Sequence, residues 1–451
     1  MNPTNMSQVG SRGDFYTRVG LFLLLGAGVA GLFFLPFSIS GDGTIRYQFM
    51  DTLVHHLQIV PMKYSIIGPL FSLPLWLISL PLKDPSIIIS RYNLLIYAGS
   101  IIVLYQWLKT HFNRKLLITF LFILSFASMF PAHLLHYNGE VFSAVCLILG
   151  TAALAIKKDW IGWISLILAV LNTPALLVPF VLAVLYFTWE TRQIRYLFLI
   201  FVCVILMTVE SYVRTGSFLI GFQNYLEEDH GFKTVLPFSG EIGYSYPFVL
   251  GVLSILFSFG KGLIFFCPGL VMIGWVRKSV SDPVERKLLV LWLLIVLGLI
   301  LVYASWWAWY GGWTWGPRFF LFVSVPASWV LARLVNSKYK PLILSLALLI
   351  FVSWSLWVGV NGVVFQLNTL QVCKQHNYAL EALCWYVPEF SPLFRPFISH
   401  ESLHLRDRLI LIFFAGLWIY SMVPIVIDLM RQLKLVIHAN RSIFDFSSWR
   451  F

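Results

Sequence analysis

The sequence predicts an all-α polytopic membrane protein with about 12 transmembrane helices. Three observations carry that reading. Of 451 residues, 59% are hydrophobic and only 12% are charged, whereas a soluble domain is about half apolar and a quarter charged. The apolar residues come in long blocks, too many to hide in one water-soluble core. When the blocks are threaded through a bilayer in turn, 20 of the 32 Lys and Arg fall in the short segments of one side. That asymmetry has the sign expected of cytoplasmic loops. The net charge of +12 therefore reads as positive-inside anchoring beside anionic lipid. Nucleic-acid binding is disfavoured, because no basic stretch is long or free of apolar blocks.

The elements follow in order. Arg12 and Arg18 precede an apolar run over 19–39 with no small-residue cleavage site, so this is a retained first span leaving the cytoplasm. Residues 40–91 form one long outer loop. Its apolar stretch 66–82 is interrupted by Pro69, Pro74 and Pro81, which suits helices lying in the interface and not a crossing. A full crossing would also put Lys109, Arg114, Lys115, Lys157 and Lys158 outside. Spans follow at about 91–108, 116–132 and 141–156, with a second outer loop at 133–140. Asn172-Thr173-Pro174 divides the apolar stretch between Trp160 and Trp189 into a pair of helices. A span at 195–212 leads to an outer loop, 213–261, with an acidic cluster at 227–229 that reads as a solvated face. Spans at 262–276, 288–304, 319–334 and 341–359 come next, with a Trp-rich outer turn at 305–318. A last outer segment, 360–407, precedes a span at 408–427 and a basic cytoplasmic tail, 428–451. Of the five cysteines, Cys146, Cys203 and Cys267 sit in apolar blocks, while Cys373 and Cys384 share one polar outer segment where they can pair.

The chemistry concentrates on the outer face. Cytoplasmic loops are too short for a nucleotide-binding domain, and neither a Walker motif nor a dinucleotide fingerprint occurs. Asp42 follows the first span in Ser-Gly-Asp-Gly-Thr-Ile-Arg-Tyr, which ends at Tyr47. A half-desolvated carboxylate at a membrane boundary suits a general base; a helix N-cap is the other reading. Asp51 and Glu140 are candidates for a second carboxylate. His133, His136 and Glu140 fall at i, i+3 and i+7, which would suit a metal but equally a polar cap. Lys261, between two glycines, and Lys63, beside Tyr64, are candidates to reach an anionic head group. Arg318 closes the run from Trp306 through Trp309, Trp313 and Trp315, where aromatic faces can stack on sugar and an Arg fork can bind phosphate. The plainer alternative is an interfacial aromatic girdle.

The chain resembles the type C (GT-C) glycosyltransferases, multi-span enzymes that take sugar from a polyprenyl-phosphate carrier. It is most similar to the bacterial protein-mannosyltransferase-like group that includes the aminoarabinose transferases of lipid A. The resemblance rests on Gly41-Asp-Gly-Thr-Ile-Arg-Tyr, Tyr64-Ser-Ile-Ile-Gly-Pro-Leu, Glu140, Tyr244-Ser-Tyr-Pro-Phe, Leu256-Phe-Ser-Phe-Gly-Lys-Gly-Leu and Trp306-Trp-Ala-Trp-Tyr-Gly-Gly-Trp-Thr-Trp-Gly-Pro-Arg-Phe. It implies a GT-C-type catalytic module over 1–335 followed by C-terminal helices over 336–451. It implies a site on the extracytoplasmic face of a bacterial plasma membrane. There Asp42 would deprotonate an acceptor hydroxyl of a glycan, lipid or protein, and inversion at the anomeric carbon would expel lipid phosphate. Arg318, Lys261 and Lys63 would hold that phosphate, and Tyr47, Tyr64, Trp309, Trp313 and Trp315 would contact sugar or acceptor. The family commonly places a second acid beside its aspartate; here Gly43 stands there. No cofactor is required by the sequence, and a divalent metal is left open. The competing classes are a transporter or flippase of a lipid-linked sugar and a non-catalytic membrane scaffold. A transporter usually carries mid-membrane charges and inverted repeats; here charges gather at span ends, and Glu210 is the nearest to an exception.

Overall fold

A computed structural model describes residues 3–218, 234–241, 243–277, 280–337, 340–366, 370–399 and 402–443. The acidic cluster at 227–229, Lys338 and residues 444–451 lie outside these. Every regular element among the described residues is a helix; a single isolated bridge joins Ser38 to His136. Seven helical segments are long and apolar enough to cross a membrane: Ser86–Leu108, Pro174–Thr191, Ile194–Thr215, Pro283–Tyr303, Arg318–Val335, Leu342–Val364 and Leu405–Lys434. Shorter apolar helices are Arg18–Gly28, Gly139–Ala155, Asp159–Asn172 and Phe248–Phe257. The chain is thus an all-α multi-pass membrane protein.

Local chemistry sets the helix ends. Asn113 caps Arg114–Phe126, its side chain accepting from Lys115 N at 2.8 Å. Asp282 does the same for Pro283–Tyr303, with Pro at the first position and the Glu285 N–H donating to it at 2.9 Å. Thr173 is extended, so the Asn-Thr-Pro break separates Asp159–Asn172 from Leu177–Thr191, with a 3-10 turn at Pro174–Leu176 between. The proline-rich stretch 66–82 folds as two short helices, Ile67–Leu70 and Leu73–Ser79, neither able to span 30 Å at 1.5 Å per residue.

Four expectations change. The first helix ends at Phe34, ahead of Pro36, and not at 39. The span expected at 262–276 is three pieces, Leu263–Phe266, Pro268–Met272 and Ile273–Arg277, because Pro268 cannot continue a helix. Residues 213–261 are not all loop, since Phe248–Phe257 is helical. The final helix runs from Leu405 to Ile443, through Pro424, so most of the expected tail is helical.

The interior consumes much of the tryptophan. Trp292 Nε1 donates to Thr151 Oγ1 at 2.9 Å, and Trp329 Nε1 to Glu285 Oε1 at 3.0 Å. A buried indole N–H commonly finds such a partner, though those of Trp76, Trp163, Trp309 and Trp385 make none. The C-terminal helices pack into the same bundle. Gly359 abuts the Phe126 carbonyl so closely that a Cβ would lie 1.8 Å from its oxygen. Trp315 Nε1 also donates to Asn361 Oδ1 at 2.8 Å. The boundary at 335/336 therefore marks no gap in packing.

Candidate functional site

Asp42 is the first residue of helix Asp42–His56. Gly41 precedes it at φ 54°, a left-handed conformation that favours glycine. The carboxylate caps nothing: no side-chain cap bond is made at this helix start. Instead Tyr64 Oη donates to Asp42 Oδ1 at 2.7 Å, and Arg318 Nη1 donates to Oδ2 at 2.7 Å. The same Nη1 lies 3.4 Å from Glu140 Oε1. Three residues far apart in sequence thus share one charged cluster. Burial works against the ionised Asp42, but the Arg318 charge, the bonds from Tyr64 and Arg318, and the nearby Arg46 outweigh it. They hold the carboxyl below the usual 3.8. Two buried polar atoms of the cluster, Arg318 Nε and Glu140 Oε2, have no hydrogen-bond partner.

The cluster forms the charged end of a cavity of about 220 Å³. Glu140, Ser143, Ala144 and Leu147 line it from one face of helix Gly139–Ala155. That face passes from carboxylate to hydrocarbon over about 10 Å, seven residues at 1.5 Å each. Leu299, Val302, Leu321 and Phe322 extend the apolar wall. Tyr244 and Trp306, packed edge to face at 5.2 Å, supply aromatic surface.

The helix Phe198–Thr215 fixes the floor. Arg214 Nε donates to Glu210 Oε1 at 3.1 Å, and Arg214 Nη1 to the carbonyls of Met62 and Lys63 at 2.8 and 3.2 Å. Glu210 Oε1 also accepts from Ile66 N at 3.1 Å. The acid that the sequence places nearest the membrane interior is therefore a brace for the loop that carries Lys63 and Tyr64. Arg214→Ala strips two carbonyls of their donor and leaves Glu210 buried without its cation. It should cost about 3–5 kcal/mol, read as a lowered unfolding midpoint in detergent. An unchanged midpoint would remove the brace from this account.

Several candidates from the sequence lie elsewhere. Lys261 is fully buried and away from the cavity. Its Nζ donates to the carbonyls of Gly312, Thr314 and Gly316 at 3.0, 2.6 and 2.8 Å, and it stands 4.8 Å from the Trp385 ring centre. Burial and the Arg318 charge push its pKa well below the lysine norm, yet only an ammonium has three N–H groups for three acceptors. Lys261 is a tether of the Trp-rich turn, not a phosphate ligand at the cavity. Trp309 and Trp315 are core residues, 1% and 3% exposed. Trp313 Nε1 donates to Glu381 Oε2 at 2.9 Å, and none of the three lines the cavity. Tyr47 packs on Trp76 at 4.8 Å, because it lies on another face of its helix from Asp42. Asp51 is exposed and paired with His55 at 3.2 Å. His136 braces Ser38 Oγ and Gln366 Oε1 at 2.9 and 3.0 Å, and His133 is buried against Trp315. Among the described residues no three His, Cys, Asp or Glu side chains converge as a metal site. Lys63, Tyr64 and Glu140 do line the cavity beside Asp42 and Arg318.

Sequence reasoning passed over Arg46. It is buried, donates from Nη1 to Ser65 O at 3.3 Å, and sits 5.1 Å from the Tyr64 ring centre. Its signal was its place four residues after Asp42, on the same helical face. Trp306 and Tyr244 each open a run that the sequence singled out, but nothing local marked them above the other aromatics of those runs as cavity residues.

The segment 370–399 covers the Trp-rich turn. Cys373 and Cys384 form a disulfide with Cα atoms 5.9 Å apart. Within and beyond that loop, Tyr378 stacks on Trp313 at 3.9 Å, Trp385 on Tyr310 at 4.8 Å, and Trp385 O accepts from Gly260 N at 3.0 Å. The closed loop has a separation of 11 residues, for which chain entropy gives about 3 kcal/mol. A Cys373→Ser/Cys384→Ser variant should melt earlier and lose sensitivity to reductant; the wild type should approach the variant when reduced. Equal midpoints for both in oxidising buffer would assign the disulfide no stabilising role.

Comparison with family models, with curated proteins and with solved structures finds no match for the chain. The site must be read from its own chemistry.

Proposed function

We propose that the protein is a glycosyltransferase moving a sugar from a polyprenyl-phosphate carrier to an acceptor hydroxyl. The reaction takes place at the extracytoplasmic face of a bacterial plasma membrane, within a bundle in which the shorter apolar helices bring the spans to about 12. One observation carries this reading. Asp42 and Arg318, 276 residues apart, meet in a cavity lined both by charged side chains and by an apolar stretch of Ala144, Leu147, Leu299, Val302, Leu321 and Phe322. That polarity suits a ligand with an anionic head and a hydrocarbon tail. The cavity also lies at the bundle end away from Lys115, Lys158, Lys287 and Arg333, the end the positive-inside rule places outside.

The geometry supports the following roles. The ionised Asp42 accepts the proton of the acceptor hydroxyl. The resulting oxygen forms a bond to the anomeric carbon as the bond from that carbon to the phosphate oxygen breaks, with inversion. The lipid phosphate departs with the electron pair, and Arg318 takes up the developing charge, where a fixed cation acts most strongly. Its Nε, buried and without a hydrogen-bond partner, is committed to neither carboxylate. Lys63 is a second cation of the cavity, and Glu140 is the second carboxylate in place of Asp51. Trp306, Tyr244 and Tyr64 offer the surface for the sugar or acceptor.

The test incubates purified protein in nanodiscs with a panel of polyprenyl-phosphate sugars. Mass spectrometry follows release of free lipid phosphate and the fate of the sugar. Donor consumption supports transfer. Movement of intact donor across the bilayer without consumption would replace the reading with a flippase. Binding without either would leave a scaffold.

A further inference from the structure

A second cavity, of about 680 Å³, lies at the opposite end of the bundle. It is bounded by the first helix, by Arg114–Phe126, by Val335 and Lys340, by Val352 in the middle of Leu342–Val364 and by the final helix. The proposed reaction makes no use of it. Its lining is graded in the same way on two helices. On one, Lys115, Thr119, Phe122 and Ile123 stand at i, i+4, i+7 and i+8, a single face passing from ammonium to hydrocarbon. On the other, Arg431, Asp428, Ile427, Pro424 and Tyr420 run the same way. Pro424 has no N–H to offer the Tyr420 carbonyl, so the wall lacks a rung beside the cavity. Tyr420 Oη instead donates to Tyr16 O at 2.7 Å and ties the first helix to the last.

Charge gathers at the mouth. Lys115, Lys340 and Arg431 line it against one acid, Asp428. Asp428 pairs with Lys340, which is only 8% exposed, and stands 3.8 Å from Arg431. One carboxylate leaves two of three cations unbalanced. The volume falls within that of small-molecule sites, 300–1,000 Å³, and is too small for a helix of a partner protein. Basic recesses between spans on the cytoplasmic side suit anionic head groups.

We propose that this cavity is a binding site for one anionic glycerophospholipid. Its phosphate sits among Lys115, Lys340 and Arg431, and one acyl chain lies against Phe122, Ile123 and Val352. The proposal stands apart from the glycosyltransferase reading and needs only the membrane fold.

The test is native mass spectrometry of the full chain released from nanodiscs of equal phosphatidylglycerol and phosphatidylcholine. Wild type should retain one phosphatidylglycerol in preference to phosphatidylcholine. Lys115→Ala/Arg431→Ala should lower that preference roughly 30-fold, the effect of two basic residues near the membrane surface. Both side chains are exposed enough to be removed without emptying the core. Thr119→Trp keeps the charges and fills the cavity, and should exclude the lipid. Lys109→Ala, exposed at the same bundle end outside the cavity, should retain it. Equal retention of the two lipids would overturn the site, as would a double variant that binds like wild type. So would a loss in Lys109→Ala as large as in the double variant.

Discussion

Asp42→Asn should reduce sugar transfer from the lipid carrier by about a thousandfold, the usual worth of a general base, while donor binding changes little. Asparagine preserves the shape but has one acceptor oxygen where Asp42 has two, so it can accept from Tyr64 while Arg318 keeps Glu140 at 3.4 Å, and the expected loss is chiefly chemical. Unfolding midpoints of the two proteins should agree within a few degrees, which the thermal melt checks. The pH profile gives an independent reading. With its carboxyl held below 3.8 by Arg318, Tyr64 and Arg46, Asp42 is ionised throughout the neutral and mildly acidic range. The contribution of the base is therefore present above that lowered value and is lost as pH falls through it. The acid limb of kcat/KM, which reports the free enzyme, should lie below pH 4 in wild type. In Tyr64→Phe, which deletes one of the bonds to the carboxylate, it should move upward. A folded Asp42→Asn protein with wild-type turnover would pass the role of base to Glu140, the other carboxylate on Arg318.

Lys261→Ala should be the most damaging single change away from the cavity. It leaves three converging carbonyls without a donor in a dry site. At about 1–3 kcal/mol for each stranded polar group, even partial relaxation implies a loss of several kcal/mol. The consequence reaches the site through the chain itself. Gly311, Gly312 and Gly316 all have positive φ, at 76°, 76° and 66°, so the turn has a shape that ordinary residues resist. Lys261 holds that shape from inside, and Arg318 begins two residues beyond Gly316. Two measurements separate a tether from a phosphate ligand. A tether predicts a lowered unfolding midpoint in the absence of any donor lipid, together with a fall in kcat as Arg318 loses its position. A ligand predicts a raised KM with an unchanged midpoint. Lys261→Arg should not rescue, because a planar guanidinium cannot point three N–H groups at one convergent set of carbonyls.

The outer disulfide-closed segment and the Glu210–Arg214 brace belong to the same design. Each holds one loop of the cavity from behind: the Trp-rich turn from outside the bundle, and the Met62–Ile66 stretch from a spanning helix. The two loops carry Arg318 and Tyr64, and both of these converge on the Asp42 carboxylate. That carboxylate is consequently gripped on both oxygens.

The sequence by itself determined the class of molecule and the place of most of its apolar helices, though not their number or the break at Pro268. Apolar blocks and basic flanks are additive, local properties, and Asn113 and Asp282 start helices and Pro174 interrupts one through bonds made or refused within four residues. It also picked out Asp42, Tyr64, Glu140 and Arg318, since a charge or phenol at a span end is conspicuous in hydrocarbon. Only the tertiary structure decided what those charges face. Lys261 and Arg318 look alike as cations flanked by glycine and aromatics. One is enclosed by carbonyls 51 to 55 residues away, and the other opens onto a cavity. The tryptophans divide in the same way: Trp306 reaches the cavity, while Trp309 and Trp315 are spent on the core. Periodicity assigns a side chain to a face of its own helix. It does not say which other helix that face will meet, and the meaning of a buried charge depends on that meeting.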